Sequence, residues 1–253
     1  MNRELLKIQR IIVAGITGTF FPIKNIGETK GLFDANRHLE VGSGLAIFFT
    51  HFSIGDPPRL DTFVLNKIPK AREVRILSPV AEHQYKQLAT RAMASFNGTE
   101  LAPIVTRDTL EKWRKLGISN PISSKTRREM YSKYKELAAD TLHEGGIVAV
   151  APQAGRRPRL SDSPEGNPVE QLFSAYVERY GNIGDVGLIC VGLGLTGEQN
   201  YKEARDLNPG RPYTASAGEL LLARDMKDPV TGFAGVDKKV FDNLRKLVPK
   251  EYL

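Results

Sequence analysis

Residues 50–58 read THFSIGDPP and place His51 five positions before Asp56. A histidine and an aspartate held side by side make a general base. Imidazole titrates near neutrality, and a neighbouring carboxylate fixes its tautomer and raises its basicity. Five residues of helix turn through about 500°, so the two would not share a helix face. Only a turn brings them together, and Gly55, Pro57 and Pro58 are turn residues. Each residue also has a plain structural reading. Asp56 directly precedes Pro57, which suits a helix N-cap followed by proline at the first helical position. His51 suits a strand end bonded to a neighbour.

A second cluster lies in VAVAPQAGRRPRL at 148–160, where an apolar run leaves through Pro152 into Gly155, Arg156, Arg157 and Arg159. Guanidinium groups beside a glycine-bearing turn match the geometry of a phosphate and let the backbone approach it. The other reading is a solvated basic loop. Arg107, in LAPIVTRD, stands at another expected strand end. Gly192, Gly194 and Gly197 spell G-x-G-x-x-G after a strand-like run, with Glu219 further on. A dinucleotide site needs that pattern inside a βαβ unit, yet the residues that follow are polar and lack an apolar stripe. An NAD(P)- or nucleotide-dependent enzyme using Gly192–Gly197 is therefore the secondary reading.

Elements must position these groups. Short apolar runs at 41–50, 73–80, 101–108, 145–152, 185–195 and, more weakly, 213–221 predict strands. Helical patterns at 57–68, 81–96, 124–146 and 167–181 lie between them. Such alternation predicts an α/β fold, with a central mixed, largely parallel sheet flanked by helices on both faces. In that architecture chemistry lies just outside the strand ends. A tail at 238–252 reads as a basic amphipathic helix.

The chain has 253 residues, a net charge of +7 and a single cysteine, Cys190, inside an apolar run. One cysteine excludes an internal disulfide framework and a cysteine-rich metal site, and fits a reducing cytoplasm. The basic balance calls for an anionic partner. Aromatic and basic residues interleave at 113–135 (Trp113, Tyr131, Tyr134), but no nucleic-acid motif accompanies them, and no nucleic-acid partner is expected. The apolar stretch 11–23 is too short to span a bilayer. Residues 1–24 read as an amphipathic helix that either packs on the domain or dips into lipid, flanked by Lys7, Arg10 and Lys24.

Taken in order, these blocks resemble the phospholipid/glycerol acyltransferase superfamily. Its N-H-x-x-x-x-D block is matched by THFSIGD, its strand ending in arginine by IVTRD, and its F-P-E-G-T-R-S block by APQAGRR with Pro152, Gly155 and Arg156. VGLICVGLGL and YTASAGE match the later strands, so the likeness covers roughly 25 to 222. Thr50 stands where the family has Asn, and Gln153-Ala154 where it has Glu-Gly. The P-x-x-G-R form is closer to the soluble glycerol-3-phosphate acyltransferases. The resemblance implies an acyltransferase domain at 25–225 and a C-terminal helical extension at 226–253. It implies transfer of a fatty acyl group from acyl-CoA or acyl carrier protein to glycerol-3-phosphate or lysophosphatidate in phospholipid biosynthesis. His51 would be the base and Asp56 its orienter. Arg156, with Arg157, Arg159 or Arg107, would hold the acceptor's phosphate beside Gly155. No metal or bound cofactor is implied. The expected place is the cytoplasm or the inner membrane surface, in peripheral contact with anionic lipid. A non-catalytic lipid-surface module is the remaining alternative.

Overall fold

A computed structural model describes residues 3–52, 56–119, 121–153, 160, 164, 166–195 and 213–253. The strands are β1 (Asn25–Thr29), β2 (Leu45–Phe49), β3 (Ile76–Ala81), β4 (Thr99–Ile104), β5 (Ile147–Val150), β6 (Gly187–Leu195), β7 (Tyr213–Ala217) and β8 (Leu221–Leu222). They form one eight-stranded sheet in the order β1-β7-β6-β2-β5-β3-β4, with β8 also on β6. Strands β6, β2, β5, β3 and β4 run parallel, and β7 and β8 are antiparallel to β6. The fold is thus α/β with a mixed, mostly parallel sheet.

Helices cover both faces because the central strands are apolar on both. Along β2, Ala46 and Phe48 face one core while Leu45, Ile47 and Phe49 face the other. Adjacent strand residues point to opposite faces. The first core is closed by α7 (Ser124–His143), α8 (Pro168–Tyr180) and α10 (Val236–Leu247), through residues such as Leu142, Phe173 and Phe241. The second is closed by α1 (Arg3–Phe20), α2 (Leu32–Glu40) and α3 (Asp56–Lys67), through Ala14, Leu39 and Phe63. Burying each such leucine or phenylalanine is worth roughly 1.5–3 kcal/mol. Both terminal helices therefore contribute side chains to the layers around the sheet.

Three local differences from the sequence reading have physical causes. β1 and α2 were not expected. β1, NIGET, lacks an apolar run, and α2 declares itself only through Leu32, Ala35 and Leu39 on one face. The run expected as a strand at 101–108 stops at Ile104. Thr106 then caps α6 (Arg107–Lys115), its hydroxyl accepting from the Thr109 N–H. The single helix expected at 81–96 is two, α4 (Glu82–Tyr85) and α5 (Leu88–Asn97), parted at Gln87, whose backbone is extended. A last short helix, α9 (Ala223–Met226), follows β8.

Candidate active site

Because β2, β5 and β6 are parallel neighbours, their C-terminal ends share one edge of the sheet. His51 leaves β2 there, two residues beyond Phe49. Its backbone is fixed from both sides. Thr50 is fully buried, and its hydroxyl donates to the Leu193 carbonyl (3.0 Å) and accepts from the Leu193 N–H (2.7 Å). That side chain ties the end of β2 to β6. The His51 N–H donates to Oε1 of Gln153 at 2.7 Å, which ties it to the segment following β5. The next N–H, of Phe52, donates to Oδ2 of Asp56 at 2.5 Å. The Phe52 ring stacks on Tyr252, with centroids 4.1 Å apart.

Asp56 is completely buried at the head of α3, with Pro57 and Pro58 in the first turn. Prolines fit there because the first amides of a helix have no intrahelical acceptor. Oδ2 of Asp56 lies 3.6 Å from Nδ1 of His51, and the imidazole side chain keeps 18% of its surface open. Nδ1 is buried and makes no hydrogen bond at that separation. Catalytic hydrogen bonds are commonly long before substrate binds. The nitrogen facing the carboxylate is Nδ1; in a general base of this type the second ring nitrogen, Nε2, is the one that meets a reactant.

The other carboxylate oxygen, Oδ1, accepts from the Tyr213 hydroxyl at the start of β7. Arg59, one turn along α3, is also fully buried. Its guanidinium carbon lies 4.1 Å from the Tyr213 ring centroid and 5.2 Å from that of Phe21. Burial pulls the Arg59 guanidinium below its ordinary value, and the negative charge of Asp56 opposes that shift. Asp56, Tyr213 and Arg59 form a buried polar assembly behind the histidine. It can hold the carboxylate in place while the imidazole gains and loses a proton.

The other sequence-derived positions are distributed differently. Gly155, Arg156, Arg157 and Arg159 lie outside the described residues. Arg107 is not a strand-end residue. It is the first residue of α6, beyond β4, and its side chain also lies outside the described residues. β4 is an edge strand, three positions from β2 in the sheet, or roughly 14 Å at the usual interstrand spacing. Gly192 and Gly194 sit inside β6, paired with Ser216 and Thr214 of β7, whereas a dinucleotide fingerprint is a turn that opens a helix. A Cβ on Gly192 would come within 2.5 Å of the Leu247 carbonyl oxygen, so this glycine lets α10 approach the strand. Gly197 lies outside the described residues. Cys190 is buried, and burial pushes its thiol up to about 12.

Sequence reasoning missed Tyr213 and Arg59 as partners of the aspartate, and Gln153 as the acceptor for the His51 N–H. Arg59 was within reach, since i and i+3 share a helix face. Tyr213 is 157 residues from Asp56 and carries no local signal. Among the described residues, no three His, Cys, Asp or Glu side chains group as a metal site would require. Compared with known proteins, the chain matches no family model, and no curated protein matches it either.

Proposed function

We propose that this chain is an O-acyltransferase. It moves a fatty acyl group from an acyl thioester, acyl-CoA or acyl carrier protein, to a hydroxyl of glycerol-3-phosphate or lysophosphatidate. The observation that carries this reading is the His51–Asp56 pair at 3.6 Å, with the histidine partly open and the aspartate fully buried. The order of the motif blocks along the chain supports it.

The chemistry follows from that arrangement. Nε2 of His51 takes the proton of the acceptor hydroxyl as its oxygen attacks the thioester carbonyl carbon. Asp56 stabilises the imidazolium, and the Phe52 N–H and Tyr213 hydroxyl stabilise Asp56. The tetrahedral intermediate collapses with cleavage of the C–S bond. The leaving thiolate takes the proton back from the imidazolium, so ester and thiol are the products and the base is regenerated. In this reading Arg156, with Arg157 or Arg159, takes the phosphate of the acceptor at Gly155, and Arg107, beyond the edge strand β4, is left out of the acceptor site.

Among the described residues, no helix is long and apolar enough to cross a membrane. α1 nevertheless exposes Leu5, Ile8, Ile12, Ile16 and Phe20 along its outer face. That stripe supports peripheral contact with a lipid surface, where a lysophosphatidate acceptor resides. The test is incubation of purified protein with a radiolabelled acyl thioester and either glycerol-3-phosphate or lysophosphatidate. Formation of a labelled ester with one acceptor supports the reading. Recovery of only unreacted thioester with both acceptors and both donors removes it.

A further inference from the structure

The positive charge of the chain is concentrated. Residues 107–135 hold nine Lys or Arg against three Asp or Glu, a net of +6 out of the whole chain's +7. This block contains α6 and the first half of α7, and between them lies a groove of about 490 Å³. That volume falls in the range of small-molecule sites. Arg127, Arg128 and Lys135 line it. Among the described residues, no carboxylate pairs with any of the three. Arg128 donates to the Ser124 carbonyl, and Lys135 lies over the Tyr131 ring. Lys125, on the same helix, does have a carboxylate neighbour, Glu129.

The rest of the lining is of two kinds. Ser124 and Ser132 bring hydroxyls, while Val105, Leu110 and Tyr131 make an apolar wall. Three cations that, among the described residues, have no carboxylate partner, beside the Ser124 hydroxyl and an apolar wall, suit a ligand that joins several phosphates to a less polar group; the Ser132 hydroxyl donates to Glu136. Position adds a second constraint. Val105 follows the last residue of β4, which runs parallel to β3, as β3 does to β5 and β5 to β2. The groove therefore opens at the same edge of the sheet as His51. The two are separated by three strand positions, roughly 14 Å. A ligand anchored by its phosphates at the groove needs a long, flexible arm to present a reacting group to His51.

We infer that the α6–α7 groove binds the nucleotide end of a coenzyme A thioester, with Arg127, Arg128 and Lys135 on its phosphates and the pantetheine arm running along the sheet edge to His51. This rests on the acyltransferase reading for its purpose. It selects coenzyme A rather than a carrier protein as the donor, because the groove has small-molecule dimensions and an apolar wall for a base.

Isothermal titration with free coenzyme A and with adenosine 3′,5′-bisphosphate tests it without any turnover. The wild-type chain and the His51→Ala variant should bind both probes. The triple variant Arg127→Gln/Arg128→Gln/Lys135→Gln should lose at least tenfold in affinity. A control pair on the same helix, Lys125→Gln/Lys133→Gln, should bind like wild type. In turnover, the triple variant should raise KM for acyl-CoA by a similar factor and leave KM for the acceptor unchanged. The inference is overturned if wild type binds neither probe, if the triple variant binds like wild type, or if the control pair loses as much as the triple. Binding at the groove with no acyl transfer would refute the proposed function and keep the site. Transfer with an unchanged donor KM in the triple variant would do the reverse.

Discussion

At the scale of single residues, the candidate base depends on how firmly Asp56 is held. Its oxygens accept from the Phe52 N–H and the Tyr213 hydroxyl inside a fully buried pocket. Tyr213→Phe removes one donor and keeps the ring beside Arg59. A hydrogen bond to a charged group is worth about 1.5–3 kcal/mol, so kcat should fall roughly 10- to 100-fold. KM for both substrates should stay near wild type, as steady-state kinetics will show. A matched loss of affinity for the acceptor would instead make Tyr213 part of a binding site. Asp56→Asn should be more severe, on the order of 10³-fold or more in kcat, because the amide cannot stabilise the imidazolium. His51 and Asp56 were legible from spacing and turn residues because the contact is local. Tyr213, Arg59 and Gln153 were not, because sheet order brings them in and nothing in one sequence states which distant strands are neighbours.

At the scale of elements, the site depends on the ends of β2, β5 and β6 staying in register. Thr50 carries much of that for β2 and β6, with both partners on Leu193. Thr50→Val keeps the shape and removes both bonds, leaving a buried peptide unit short of partners. A destabilisation of about 2 kcal/mol or more is expected, or roughly 4–8 °C in Tm for a chain of this size, read by calorimetry. An unchanged Tm would show that Leu193 finds other partners. Most strands and helices were legible because apolar runs and helical periodicity mark them directly. β1 escaped because it is an exposed strand at the end of the sheet, placed by its pairing with β7 and not by an apolar run of its own. The strand expected over 105–108 is absent because Thr106 caps α6 there.

At the scale of the molecule, two features outside the site have consequences. Asp61, on α3, accepts from Asn97 Nδ2 at 2.6 Å, and burial pushes its carboxyl up to about 6. The folded chain then holds a proton that the unfolded chain has released between about pH 4 and 6. Stability from this group is therefore lost as pH rises through that window. Urea unfolding of wild type and Asp61→Asn at several pH values should show the decline in wild type and its reduction in the variant; parallel curves would contradict it. The exposed stripe on α1 makes a separate claim. Wild type should float with anionic vesicles and Ile8→Glu/Ile12→Glu should not, whereas flotation of both would place lipid contact elsewhere. The fold class was legible as a whole because strand–helix alternation persists along the chain. The line-up of the arginine cluster with the base is carried by motif order alone. The most direct measurement is acyl transfer by His51→Ala beside wild type, with circular dichroism confirming that both are folded. Loss of at least 10³-fold in rate is the expected result, and a folded His51→Ala protein that transfers acyl groups near the wild-type rate would contradict the role given to the pair.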